Sequence, residues 1–232
     1  MPVSPAPNVS IPVMLWGEGN CVGDGLAYQG FLRQVASFGV MIIANGWVAS
    51  TKPKNGRDTT KDMKYFTDSI TWIQAQAGKG RYATVDAAAL GAAGHSCGGL
   101  QTIEMRNDTR VKMLAPFGYF TRQPEWATEI KVPVGAFVGS LDTSIAYPQI
   151  QKGWPNLPKT TPGWWGTFPN LNHGGTFGQP DGGKWAISFK NWIFFTLKGD
   201  RTAAEYFKGD GAKTDGWQVQ KQNLETILVV GA

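Results

Sequence analysis

Apolar residues along this chain fall into two alternating patterns. Short unbroken apolar runs at Ile11–Trp16, Val40–Ala44, Ala87–Ala93, Val111–Ala115, Val132–Val138 and Trp164–Phe168 read as strands buried on both faces. Between them lie segments whose apolar residues recur at helical spacing. Leu26–Phe38 carries Phe31, Leu32, Val35 and Phe38, and Gly39 ends it; Asp58–Ala77 carries Met63, Phe66, Ile70 and Ile73; Lys184–Leu197 carries Trp185, Phe189, Trp192 and Ile193. Strands alternating with helices predict an α/β fold, a mostly parallel central sheet of about six strands covered by helices on both faces. Thr226–Val230, beyond Gly199, is expected as an edge strand. A chain of 232 residues without a composition shift reads as one domain over residues 1–232.

The chemistry concentrates where the third run ends. Gly94-His95-Ser96-Cys97-Gly98 has the G-x-S-x-G pattern, follows a strand, and continues into Gly98-Gly99-Leu100, which can open a helix. A serine on such a tight turn exposes its hydroxyl, and small neighbours let the backbone close, so Ser96 is the expected nucleophile. The chain has only two histidines. His95 is adjacent to Ser96, so its side chain leaves the turn in another direction. That leaves His173, in the loop after Trp164–Phe168, as general base. The acid is expected at the end of the strand between them, where Val134–Ser140 runs into Leu141-Asp142. Glu104, Asp108, Glu125 and Glu129 fall in the segment after the turn or in a connecting loop, so Asp142 is favoured. The order Ser, Asp, His is one in which such triads occur.

On these motifs the stretch Ile11–Phe207 resembles the cutinase and polyester-hydrolase branch of the α/β-hydrolases, with kinship to dienelactone-hydrolase-like esterases. The separations Ser96–Asp142 (46) and Asp142–His173 (31) and the segment Ala115-Pro116-Phe117 are similar to that branch. The resemblance implies the α/β-hydrolase fold and ester hydrolysis through an acyl-enzyme. It implies an oxyanion hole made by the backbone N–H groups of Cys97 and Glu18. It also implies substrate contacts at Gly17 and Phe117, with Trp47 flanking the cleft. Cys21 and Cys97 fall on two loops that this fold sets against each other, so a disulfide between them is expected, and with it secretion. Only 11 residues separate Phe120 from Val132. A cap domain would need a longer insertion, so an open cleft without a cap is expected, suited to bulky or polymeric esters.

Composition narrows the alternatives. The net charge of +5 is scattered, and its densest run, Lys52-Pro53-Lys54-Asn55-Gly56-Arg57, reads as a solvated loop, not a nucleic-acid surface. No apolar run reaches a membrane span of about 20 residues. Met1, Pro2, Ser4, Pro5 and Pro7 do not form a signal peptide, and a mature secreted form is the expectation. Asn8-Val9-Ser10 and Asn107-Asp108-Thr109 are glycosylation sequons for a eukaryotic secretory host. Gly17, Gly19 and Gly23 have the wrong spacing for a dinucleotide loop, and two histidines with two cysteines placed this way make no metal site, so no cofactor or metal is expected. Ten tryptophans raise a carbohydrate-binding surface as a reading. Trp72, Trp185 and Trp192 are more simply core, while Trp16, Trp47, Trp154 and Trp164 are placed to flank the cleft. The expected partner is thus an ester, acted on by a monomer. Small soluble esters are the second reading, and an inactive carbohydrate- or ligand-binding module is the third.

Overall fold

The computed structural model describes residues 9–48 and 62–230. The basic run at 52–57, Asn8 of the first sequon and the start of the helix expected from Asp58 lie outside the described residues. Among the described residues seven strands build one sheet: β1 (Ile11–Gly17), β2 (Met41–Ala44), β3 (Val85–His95), β4 (Leu114–Phe117), β5 (Val134–Gly139), β6 (Gly163–Phe168) and β7 (Gln218–Gln222). Their order is β2-β1-β3-β4-β5-β6-β7, parallel throughout except for β7, which pairs antiparallel with β6. This is a mostly parallel sheet flanked by helices, in keeping with an α/β-hydrolase-like fold.

Side-chain alternation along β1 shows how the sheet is covered. Ile11, Val13 and Leu15 enter one apolar core with Phe66, Ile70 and Ile73 of helix α2 (Lys64–Gln76). That core also holds Ile103 of α3 (Cys97–Glu104) and Ile150 of α4 (Ala146–Gly153). Met14 and Trp16 enter the other core with Phe31 and Val35 of α1 (Gln29–Ser37). The same core takes Trp185, Phe189 and Trp192 of α5 (Gly183–Lys198) and Phe207 of α6 (Arg201–Lys208). Residues on alternate sides of a strand therefore meet different helix layers, which is why its sequence is apolar at every position.

Three sequence expectations are corrected. Thr226–Val230 is not a strand: Leu224–Thr226 is a 3-10 turn, and the antiparallel edge is β7, which makes the sheet seven-stranded. The tail beyond it is held by its main chain instead, with Val230 N donating to Gly199 O at 2.9 Å. Trp72 is not core but 42% exposed, its ring edge-on to Tyr82. Trp16 and Trp164 are fully buried, so neither flanks a cleft.

Helix ends follow local chemistry. α5 stops at Gly199, which adopts φ 63, and the next residue, Asp200, begins α6 by accepting from Ala203 N at 2.8 Å. Asp200→Ala leaves that N–H without its side-chain acceptor. It should destabilise the protein by about 1 kcal/mol in urea unfolding, with an unchanged slope.

Candidate active site

The sheet order reverses between β1 and β3: β2 lies outside β1 on one side, and β3 and its successors lie on the other. At such a switch point the loops leaving adjacent strand ends diverge and open a crevice beyond their carboxyl ends. Gly17, the last residue of β1, pairs with Gly94 near the end of β3, so the two loops start side by side.

Ser96 stands alone between β3 and α3 with φ 53 and ψ −109, a conformation that an L-residue adopts only when its surroundings impose it. The surroundings are specific. Ser96 N donates to Phe117 O on the neighbouring strand at 2.9 Å, and Leu100 N donates to Ser96 O at 3.0 Å as the helix begins. A Cβ at Gly98 would overlap the Gly17 carbonyl, and one at Gly94 would come 2.5 Å from the Gly98 backbone. The motif glycines are thus required by main chain lying directly on main chain.

Asp142 follows β5 and His173 follows β6. The Asp142 side chain is buried, and its Oδ2 lies 2.6 Å from His173 Nδ1. Oδ1 accepts from Ala146 N at 3.3 Å, which fixes the carboxylate plane. A carboxylate accepts, so Nδ1 carries the proton and Nε2 presents its lone pair. Both Ser96 and His173 line a cleft of about 380 Å³ with Gly19, Asn20, Val22, Ala27, Tyr28 and His95. Among the described residues Ser96 Oγ and the His173 ring make no hydrogen bond, a contact that commonly tightens only around substrate.

The expected oxyanion residues flank this cleft. Cys97 is the first residue of α3, where backbone N–H groups have no helical acceptor, and Glu18 follows β1 directly. A disulfide joins Cys21 to Cys97 with Cα atoms 5.2 Å apart, tying the loop after β1 to the helix after Ser96. The Glu18 side chain is fully buried. Its Oε2 accepts from Trp16 Nε1 at 3.2 Å, while Oε1 has no partner among the described residues. Burial in this setting pushes its carboxyl up to about 8.

The three expected substrate contacts, Gly17, Phe117 and Trp47, are not among the residues that line this cleft. The Phe117 ring is buried, stacked on Phe137 at 4.4 Å, in an aromatic cluster with Trp16, Phe31 and Phe189. Its main chain, not its ring, serves the turn at Ser96. Gly17 packs against α3, where a Cβ would lie 2.7 Å from Gly98 Cα. Trp47 is 40% exposed, its main chain paired with Gly23 and Gly25 next to cleft residues Val22 and Ala27. Tyr28 and His95, absent from the sequence expectation, line the cleft instead. Their polar atoms meet across 67 positions of sequence, so no local motif signals them.

Among the described residues no group of histidine, cysteine or acidic side chains could hold a metal, and no helix is long and apolar enough to cross a membrane. Neither the comparison with protein-family models nor that with curated proteins returns a match for this chain.

Two stability measurements test this anatomy. The disulfide closes a loop across 76 positions, so a Cys21→Ser/Cys97→Ser double variant should lose roughly 4 kcal/mol in chemical unfolding. Glu18 is the opposite of a stabilising carboxylate, because its folded pKa lies above the ordinary 4.5. Between pH 4.5 and about 8 the unfolded chain has released this proton while the folded one retains it, so stability falls as pH rises through that window. Glu18→Gln should therefore melt progressively higher relative to wild type from pH 5 to pH 8, about the span of that window. A melting difference independent of pH would contradict the buried acid.

Proposed function

We propose that this protein is a serine carboxylic ester hydrolase related to the cutinase and polyester-hydrolase branch of the α/β-hydrolases. The observation that carries the reading is the hydrogen bond of 2.6 Å between His173 Nδ1 and Asp142, made by an imidazole that lines the same cleft as Ser96. The Ser96 hydroxyl attacks the ester carbonyl while His173 Nε2 takes its proton, and Asp142 stabilises the imidazolium that results. The backbone N–H groups of Cys97 and Glu18 receive the oxyanion. When the tetrahedral intermediate collapses, the alcohol leaves with the proton from His173. Water, activated by the same imidazole, then releases the acid from Ser96 and restores the hydroxyl.

An open cleft supports bulky or polymeric esters, and exposed Leu26, Trp47 and Val48 on the neighbouring segments supply apolar surface that a polymer chain can lie against. The cleft volume, at the small end of ligand sites, favours a second reading in which small soluble esters are the substrates. A disulfide beside the site supports an oxidising, extracellular location.

A fluorophosphonate probe should label the wild type and not Ser96→Ala, with both variants equally folded by circular dichroism. Asp142→Asn should lower kcat by about ten-thousand-fold, because it frees the imidazole to adopt the wrong tautomer. Wild-type protein that neither takes the probe nor hydrolyses p-nitrophenyl esters or a polyester film would point to a binding module instead. Activity confined to the shorter esters would select the second reading.

A further inference from the structure

The second histidine belongs to the machinery without touching the reacting atoms. We propose that His95 is a positioning residue: clamped by Tyr28, it holds the main chain of His173 and so fixes where the base stands. The inference rests on reading His173 as the base.

The proton positions in this relay follow from chemistry. His95 Nε2 lies 2.7 Å from the His173 carbonyl oxygen, which can only accept, so Nε2 carries the proton. The imidazole is 6% exposed, and burial, with the His173 ring nearby, pushes it down to about 4, so it is neutral and Nδ1 has a lone pair. The Tyr28 hydroxyl, 2.7 Å from Nδ1, must therefore donate. The same hydroxyl is seated against Gly19 in the loop after β1, where a Cβ would stand 2.2 Å from it. A chain of two hydrogen bonds thus runs from Tyr28, packed against that loop, through His95 to the backbone of His173.

Packing is arranged around this chain. The His95 and His173 rings lie 4.7 Å apart, and the Phe177 ring packs edge-on to His95 at 5.0 Å. Gly118 adopts φ 55 beside them, and a Cβ there would stand 3.0 Å from His95 Nε2 and 3.2 Å from His173 Cε1. His173 is thereby held at two points, its ring by Asp142 and its carbonyl by His95. The loop carrying it has no strand or helix of its own between Phe168 and Pro180. Without the second point the ring could pivot about the Asp142 bond, and an error of about 1 Å in a reacting group costs on the order of a hundredfold.

The test compares three variants of the intact protein. His95→Phe keeps a ring but removes both polar atoms, His95→Gln restores a donor near the position of Nε2, and Tyr28→Phe removes one hydroxyl. His95→Phe should lower kcat about a hundredfold with KM little changed. It should also broaden or remove the far-downfield proton resonance of the Asp142–His173 hydrogen bond. His95→Gln should recover most of both, and Tyr28→Phe should fall between. A folded His95→Phe protein with wild-type kcat and an unchanged resonance overturns the proposal, as does a His95→Gln protein no better than His95→Phe. If His95→Phe does not fold, Tyr28→Phe decides: an unchanged rate and resonance overturn the proposal. If the wild type hydrolyses no ester, the ester-hydrolase reading falls, and the resonance alone still judges the role of His95.

Discussion

Main chain resting on main chain at the crossing of β1, β3 and α3 is the constraint on which the rest of this structure depends. The Gly98 Cα lies so near the Gly17 carbonyl that no larger residue fits, and Gly94 meets Gly98 as closely. Dispersion between atoms in such contact is small pair by pair, but it fixes the start of α3 relative to two strand ends. From that fixed point the other positions follow. Ser96 is forced to a positive φ, and Cys97 at the start of α3 comes within disulfide reach of Cys21 in the loop after β1. The glycines are therefore positional requirements of the site and not merely permissive of a turn.

How much of this was legible in sequence depends on whether a feature needs a local pattern. The inner strands of the sheet were visible because burial on both faces demands unbroken apolar runs, and β1 meets both cores. The turn at Ser96 was visible because close approach demands glycine at fixed offsets. β7 was hidden because Gln218–Gln222 lies at the edge, mostly facing solvent, and an edge strand needs no apolar signature. Thr226–Val230 misled for the converse reason. It is apolar, yet Leu228 is 87% and Val230 70% exposed, and only Ile227 joins the core. Tyr28 and His95 were hidden because their connection is made through space.

The aromatic residues show a similar division of labour. Trp16, Phe31, Phe117, Phe177 and Phe189 form a continuous cluster beneath the cleft, with edge-to-face contacts such as Phe31 to Phe177 at 4.8 Å. Such rings resist displacement because each is gripped by several neighbours. The polar groups of the cleft stand on this apolar floor. Phe177 belongs to both: it packs against Phe31 below and against His95 at the cleft wall. A rigid floor matters here because the segments that carry Glu18, Ser96, Asp142 and His173 leave four different strand ends, β1, β3, β5 and β6.

The two borders of the sheet have a consequence for how the protein behaves in a crowd of its own copies. An open sheet exposes unpaired N–H and C=O groups on its outermost strands, and long flat apolar borders recruit further strands. Here one border, β2, is only four residues long. The other, β7, is Gln-Val-Gln-Lys-Gln, and its Lys221 ammonium turns back to the carbonyls of Phe207, Lys208 and Gly209 at the end of α6. That cation keeps charge on the strand most open to pairing while also closing a helix. Among the described residues a sheet bordered in this way offers little adhesive rim, so copies crowded together gain little by adding strands to one another.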